Sequence, residues 1–209
     1  MRLTVFGGTG RAGRLLVEQA LAAGHEVTVL ARRPEKVDLK HDRLRVVAGN
    51  ALDPAPVAQA VTGADAVISL IGPGKDQPPM MVSKSTANIL AAARACGVKR
   101  VIVAAGAGVG DARDEPRLID KAIVGILKRA ARQAYEDMNA TAAAVKASDR
   151  DWTLARIPML TDQAASGKTR VGYLGKGVGN RLSRADLAAF LLGQVTDKTY
   201  LRAAPVVSN

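Results

Sequence analysis

Cysteine is almost missing from this 209-residue sequence: Cys96 stands alone. That excludes an internal disulfide and any site built from paired thiolates, and it points to a reducing, cytoplasmic setting. Aromatic residues make up only 3% of the chain, leaving little on which single-stranded bases could stack. No apolar run reaches the roughly 20 residues that a membrane-spanning helix needs, and the N-terminus runs into "LTVFGG" without the layout of a signal peptide. Acids are also in the minority, with 19 against 30 lysines and arginines for a net charge of +11. With neither a helix-turn-helix nor zinc-ligand spacing, nucleic acid and metal are not expected partners. The excess suits an anionic small ligand or a solvated basic surface.

What is present alternates. "RLTVF" (2–6) leads to a helix from about Arg11 to Ala23, with Gly24 placed to end it. "HEVTVLA" (25–31), "LRVVAG" (44–49), "ADAVISLIG" (64–72) and "KRVIVAAG" (99–106) read as strands, with helices at 54–63 and near Ser83–Cys96. Their continuous apolar character fits a parallel sheet covered by helices on both faces. The order β-α-β-β-α-β-α-β predicts a doubly wound Rossmann-type α/β fold with strand order 3-2-1-4-5-6. An alanine-rich helical stretch follows from about Arg117 to Ser148, with a break expected near Gly125. "DWTLARI" (151–157) is the sixth strand, stopped by Pro158, and "SRADLAAFLLGQV" (183–195) is a helix capped by Ser183. The terminal "AAPVVSN" is a candidate seventh strand. At 48% apolar, residues 1–209 can close one core as a single domain, with a loop-rich elaboration around 159–182 that contains a strand in "TRVGYLG". Cys96, at the apolar helix end "AARACGVKRV", reads as a small core residue.

The densest signal is "VFGGTGRAG", with Gly7, Gly10 and Gly13 between a strand and a helix. Glycines there let the backbone approach a pyrophosphate, and the helix N-terminus offers open N–H groups and a positive dipole end. Thr9, Arg11 and Ala12 flank the turn. Where an acid after the second strand would accept the ribose hydroxyls of NAD, the sequence has Arg32 and Arg33 in "VLARRPEK". Guanidinium groups match a 2′-phosphate, so NADP(H) is expected over NAD(H). In "AGNALDP", Asn50 offers an amide to the adenine edge beside Ala51, and Asp53 is either a second contact or a helix cap. Leu70, Ile71 and Gly72 end the fourth strand on the ribose and nicotinamide side.

These segments, with "VKRVIVAAGAGVGD", "YEDMNATAAAVKASDRDWTLARIPMLTD" and "LSRADLAAFLLGQVTDKTY", resemble the atypical short-chain dehydrogenases/reductases. The likeness is to the NAD(P)H-binding group that includes flavin reductase/biliverdin-IXβ reductase, and it extends to NmrA-like proteins. It covers nearly the whole chain. It implies NADP(H) in the glycine-rich cleft, with Ala105, Pro158 and Met159 completing the cofactor set, and hydride transfer to a flavin or another flat acceptor. It also exposes departures. The lysine expected four residues after Tyr135 is Asn139, the serine at the end of the fifth strand is replaced by Ala105 and Gly106, and the histidine after Pro158 is Met159.

Tyr135 therefore remains a catalytic candidate by type, with packing in its helix as the alternative. Tyr173, in the elaboration, stands in the same position. The sequence supports two readings. One is a reductase passing hydride from NADPH to a flavin, quinone or similar acceptor, for which no protein acid is required. The other is an NADP(H)-binding sensor without turnover. A sugar-nucleotide epimerase or dehydratase would need the missing Tyr/Lys pair and a larger C-terminal domain. A monomer or homodimer is expected. The basic stretch 121–134, with Lys121, Lys128, Arg129 and Arg132, reads as a solvated amphipathic helix, an anionic-substrate site or a membrane-facing surface.

Overall fold

The computed structural model describes residues 1–74 and 77–209. Strand β1 (Arg2–Phe6) is followed by α1 (Arg11–Ala22), β2 (Glu26–Ala31), β3 (Leu44–Ala48), α2 (Pro54–Val61) and β4 (Ala66–Ser69). Then come α3 (Met81–Ala95), β5 (Arg100–Gly106), α4 (Leu118–Ala130), α5 (Arg132–Ala147) and β6 (Asp151–Ile157). The chain closes with β7 (Met159–Thr161), β8 (Arg170–Gly172), β9 (Arg181–Ser183), α6 (Arg184–Gly193) and β10 (Val206–Ser208). The main sheet has the order β3-β2-β1-β4-β5-β6-β10-β8. Strands β1 to β6 pair in parallel, as the sequence predicts. The terminal strand β10 adds in parallel beside β6, and β8 closes that edge antiparallel.

Period-two alternation sorts each central strand between two cores. On one face Leu3, Val5, Ile68 and Ile102 pack with Leu16 and Val17 of α1 and Leu187 and Leu191 of α6. On the other, Val67, Val101 and Val103 pack with Val57 of α2, Ile89 of α3 and Val145 of α5. Both faces being covered is why these strands show no polar alternation. Among the described residues, α4 contributes to neither core.

Gly24 ends α1 with φ +86°, and the His25 amide donates to the Ala20 carbonyl at 3.0 Å, the six-to-one bond of a Schellman cap. The same device ends α3 and corrects the reading of Cys96, which is exposed. Gly97 (φ +71°) turns the chain and the Val98 amide donates to the Ala93 carbonyl at 2.8 Å. Val98 and Ala93 thus take the core positions, and Cys96 is left at the C-cap.

The break in the long helical stretch falls at Ala131 (φ −136°, ψ 47°), not at Gly125, which lies inside α4. Strand β4 stops at Ser69, so Leu70 to Gly72 form a loop rather than the strand end expected. The elaboration holds more order than foreseen: β7 and β9 pair in parallel as a separate ribbon. Asp186 pins it, accepting from the amides of Ser166 (2.9 Å) and Gly167 (3.0 Å), while Ser183 caps α6 by accepting from the Asp186 amide at 3.0 Å.

Candidate functional site

The glycine turn after β1 is compact for a steric reason. Gly7 adopts φ +80°, and a Cβ there would lie 2.9 Å from the Leu70 carbonyl. A Cβ on Gly13 would come within 2.0 Å of the Gly7 oxygen, so α1 can approach β1 only without one. The Gly10 amide donates to the Gly7 carbonyl at 3.0 Å. Gly10 is also the N-cap of α1 and supplies no side-chain cap, which leaves the first helical amides open at the carboxyl end of the sheet.

That turn floors a cleft of about 420 Å³, whose walls include Gly7, Gly10, Arg11, Ala12, Gly13, Leu70, Ile71, Gly72, Ala105 and Pro158. A hollow of about 220 Å³ adjoins it, sharing Gly7, Gly10 and the 70–72 loop, and is lined by Thr9, Arg32, Asn50 and Ala51. The side chain of Asn88 on α3 fixes this rim, donating to the carbonyls of Ala51 (3.0 Å) and Leu52 (2.9 Å). Asn50 accepts from the Leu52 amide through Oδ1 at 3.2 Å, and its own NH₂ has no partner among the described residues. Asp53 stands at the N-cap of α2 without a side-chain cap bond. Arg32 and Arg33 are both exposed, and among the described residues neither forms an ion pair. Arg32 lines the hollow, whereas Arg33 does not.

Beyond Gly106 the cleft passes into a groove of about 490 Å³ that shares Gly106, Met138, Ile157 and Pro158 with it. Strand alternation along β7 sends its first two residues to different sides. Leu160 faces the cleft, while Met159, 56% exposed, lines the groove. Two residues that the sequence did not single out complete the walls: Met138 and Thr141, one turn apart on α5. Met138 fills the space of the missing serine, its sulfur 2.6 Å from where a Cβ on Gly106 would stand. Arg184, at the start of α6, is a third. Its position after a capping serine was the one sequence signal available for it.

Tyr135 lines neither the cleft nor the groove; Lys128 Nζ lies 5.3 Å from its ring centroid. The Asn139 side chain is turned back on its own helix, donating to the Tyr135 carbonyl at 2.7 Å, and does not replace the missing lysine. Tyr173 is held under the Arg113 guanidinium, 4.4 Å from its centroid, and burial raises its pKa above the ordinary value. Among the described lining residues, the ionisable side chains are Arg11 and Arg184 in the cleft and Arg117 and Asp120 in the groove. The hydrogen bond from Arg117 holds the Asp120 carboxyl below its usual pKa. Among the described residues, these walls hold no histidine, cysteine, tyrosine or lysine to serve as a proton donor.

The far wall of the groove is held by a buried ion pair. Arg156 on β6 is fully buried and meets Asp114 bidentately, at 2.6 and 2.7 Å. It also donates to the carbonyls of Ala204 (2.7 Å) and Val109 (2.8 Å). Asp114 accepts from the Leu174 amide at 3.0 Å, and Leu174 and Gly175 line the groove. Burial pushes the Asp114 carboxyl up, but Arg156 and the backbone amides outweigh it and hold it low. At the opposite mouth, Asp162 bridges two cleft residues, accepting from Arg11 at 2.9 Å and Arg184 at 2.6 Å.

Comparisons with known proteins agree with this architecture. The oxidoreductase ylbE from Lactococcus lactis superposes with a TM-score of 0.83 at 19% identity, covering 100% of this chain and 91% of that one. A short-chain dehydrogenase/reductase from Veillonella parvula, solved in complex with NADP, gives 0.80 at 21% identity over 100% and 94%. The anaerobillin reductase ChuY from Escherichia coli O157:H7 gives 0.77 at 22% over 100% and 97%. In sequence, the chain is 42% identical over 69 residues to the photosystem II assembly factor Ycf39 of Synechocystis, a match spanning 32% of this chain and 21% of that protein. The UPF0659 protein C216.03 of Schizosaccharomyces pombe is 26% identical over 203 residues, 90% of this chain and 81% of that one. The model of the NAD(P)H-binding family matches residues 7–198, and the chain belongs to that family.

Proposed function

We propose that the protein is an NADP(H)-dependent reductase whose acceptor is a flat conjugated molecule, a flavin or a quinone, held in the groove beside Pro158. The steric test at the glycine turn supports the cofactor's fit, because a Cβ at Gly7 or Gly13 would strike the backbone of Leu70 or Gly7 and displace the tight turn that floors the cleft. The open amides of α1 and Arg11 would hold the pyrophosphate, Asn50 the adenine, and Arg32 with Arg33 the 2′-phosphate. Bound NADPH would supply a hydride equivalent to the acceptor. Leu70, Ile71, Ala105 and Pro158 would orient the nicotinamide and exclude water from its face.

The observation that carries the reading is the groove wall itself: it is largely apolar and, among the described residues, offers no histidine, cysteine, tyrosine or lysine as a proton donor, with Met138 packed against Gly106. That wall suits an acceptor whose protonation comes from solvent and disfavours carbonyl reduction, which needs a positioned acid. The sensor reading shares the same cofactor contacts. Purified protein should oxidise NADPH with free flavin or a simple quinone well above background, and Tyr135→Phe should leave the rate within about twofold, because its ring is outside the walls. Binding without oxidation across such acceptors would favour the sensor. A large loss in Tyr135→Phe would restore a tyrosine acid.

The Asp162 bridge gives a second expectation. Its carboxylate occupies the two guanidiniums that line the cleft. Asp162→Asn should therefore free both for the cofactor's phosphates and tighten NADPH binding, by about two- to fivefold as for an exposed pair. Unchanged or weaker binding in a titration would show that the bridge does not compete with the cofactor.

A further inference from the structure

Among the described residues, helix α4 joins neither core, and its outward face is apolar. Leu118 is 84% exposed, Ile119 61% and Ile126 66%. At about 3.6 residues per turn these share one side of the helix with Ala122, which is also exposed. Lys121 and Lys128, seven residues apart, run along one flank, and Arg129 closes the C-terminal end of the apolar stripe. The one acid of α4, Asp120, is taken by Arg117 at 3.2 Å on the groove side, and Glu136 on the next helix is taken by Arg132 at 2.7 Å. Among the described residues, the stripe is thus bordered by cations without an acidic partner, on a chain of net charge +11.

Charge decides what this face fits. A second copy packed symmetrically here would bring Lys121, Lys128 and Arg129 against like charges. An anionic bilayer accepts both components, the aliphatic side chains among the headgroups and the cations on the lipid phosphates. We propose that α4 docks the protein on an anionic membrane surface. The inner side of the same helix supplies Val124 to the groove that Met159 lines, so the groove opens next to the docked face. A quinone dissolved in the bilayer would then reach the groove directly. This last step rests on the reductase reading, whereas the docking does not.

Sedimentation with vesicles tests the docking. The protein should pellet with phosphatidylcholine vesicles containing phosphatidylglycerol, fail to pellet with phosphatidylcholine alone, and be released as salt rises. Lys121→Ala/Lys128→Ala should weaken partitioning roughly thirtyfold, and Leu118→Ser/Ile126→Ser should also lower it strongly. Both variants should keep wild-type NADPH affinity, which separates lost docking from lost folding. No binding to the mixed vesicles, or equal binding to neutral ones, would overturn the proposal. So would a concentration-dependent dimer in light scattering that Ile126→Ser abolishes, since a second copy would then cover the face. Docking without oxidation of NADPH by vesicle-borne quinone would overturn the acceptor assignment and leave the membrane contact standing.

Discussion

Asp114→Ala should lower the unfolding free energy by about 3–5 kcal/mol, the usual cost of leaving a buried charge without its partner. Arg156 is 0% exposed on β6 and would face its empty site with two backbone carbonyls as its remaining partners. For a chain of this size that predicts a fall in Tm of the order of 10 °C, with Asp114→Asn milder because it keeps the shape and some hydrogen bonds. The damage should concentrate on the groove. Asp114 ties the loop after β5 to Leu174, and the Glu115 amide donates to the Leu174 carbonyl at 2.9 Å. A melting curve indistinguishable from wild type would remove this pair as the anchor of the wall. Acid should act similarly. Burial raises the Asp111 carboxyl, but the Arg113 side chain and amide and Lys146 bring it down to about 2 from 3.8, and Asp114 is also held low. A lowered folded-state pKa stabilises fully above the unfolded value and is lost as pH falls through the folded one. Stability from Asp111 should therefore fade between about pH 4 and pH 2, and that from Asp114 as pH falls below the ordinary carboxylate range.

Arg32→Ala/Arg33→Ala should weaken NADPH binding ten- to a hundredfold and leave NADH nearly unchanged. Losing a charge-assisted pair of hydrogen bonds costs about 1.5–3 kcal/mol, and NADH has no 2′-phosphate to lose. Both arginines are exposed and among the described residues unpaired, so the substitutions remove no ion pair that supports the fold. Arg32 alone lines the hollow, and Arg32→Ala should account for most of the change. Equal wild-type affinities for the two cofactors, or an unchanged ratio in the variant, would exclude these residues as the selector.

The parts of the fold that sequence reveals are those fixed by local chemistry. The glycine turn could be read because Gly7 and Gly13 answer to steric limits that no other residue meets. The order of β1 to β6 followed from apolar runs separated by helices, which restrict the crossovers. Three-residue strands such as β7 and β9 carry no periodicity, so the ribbon was invisible. Gly125 misled because glycine in a helix costs only about 1 kcal/mol. The break came instead at Ala131, beyond which α5 packs Thr141, Ala142 and Val145 against the fold and its Asp137 accepts from the amides of Val82 and Ser83. Met138 went unnoticed for a related reason: which face of α5 meets Gly106 depends on how that helix is rotated against β5, a tertiary fact. Arg156 looked like one more basic residue, and only the fold sets it opposite Asp114.

The account stands or falls on hydride leaving NADPH in this cleft for an acceptor that the protein does not itself protonate. The direct measurement is the rate of NADPH oxidation with free flavin or quinone, using NADPH carrying deuterium at the transferred position of nicotinamide C4 beside the unlabelled cofactor. Turnover should run far above background, slow with the label and stay level from pH 6 to 9, since the described wall residues include no histidine, cysteine, tyrosine or lysine to act as the acid. Tight NADPH binding with no oxidation, labelled or not, would contradict it.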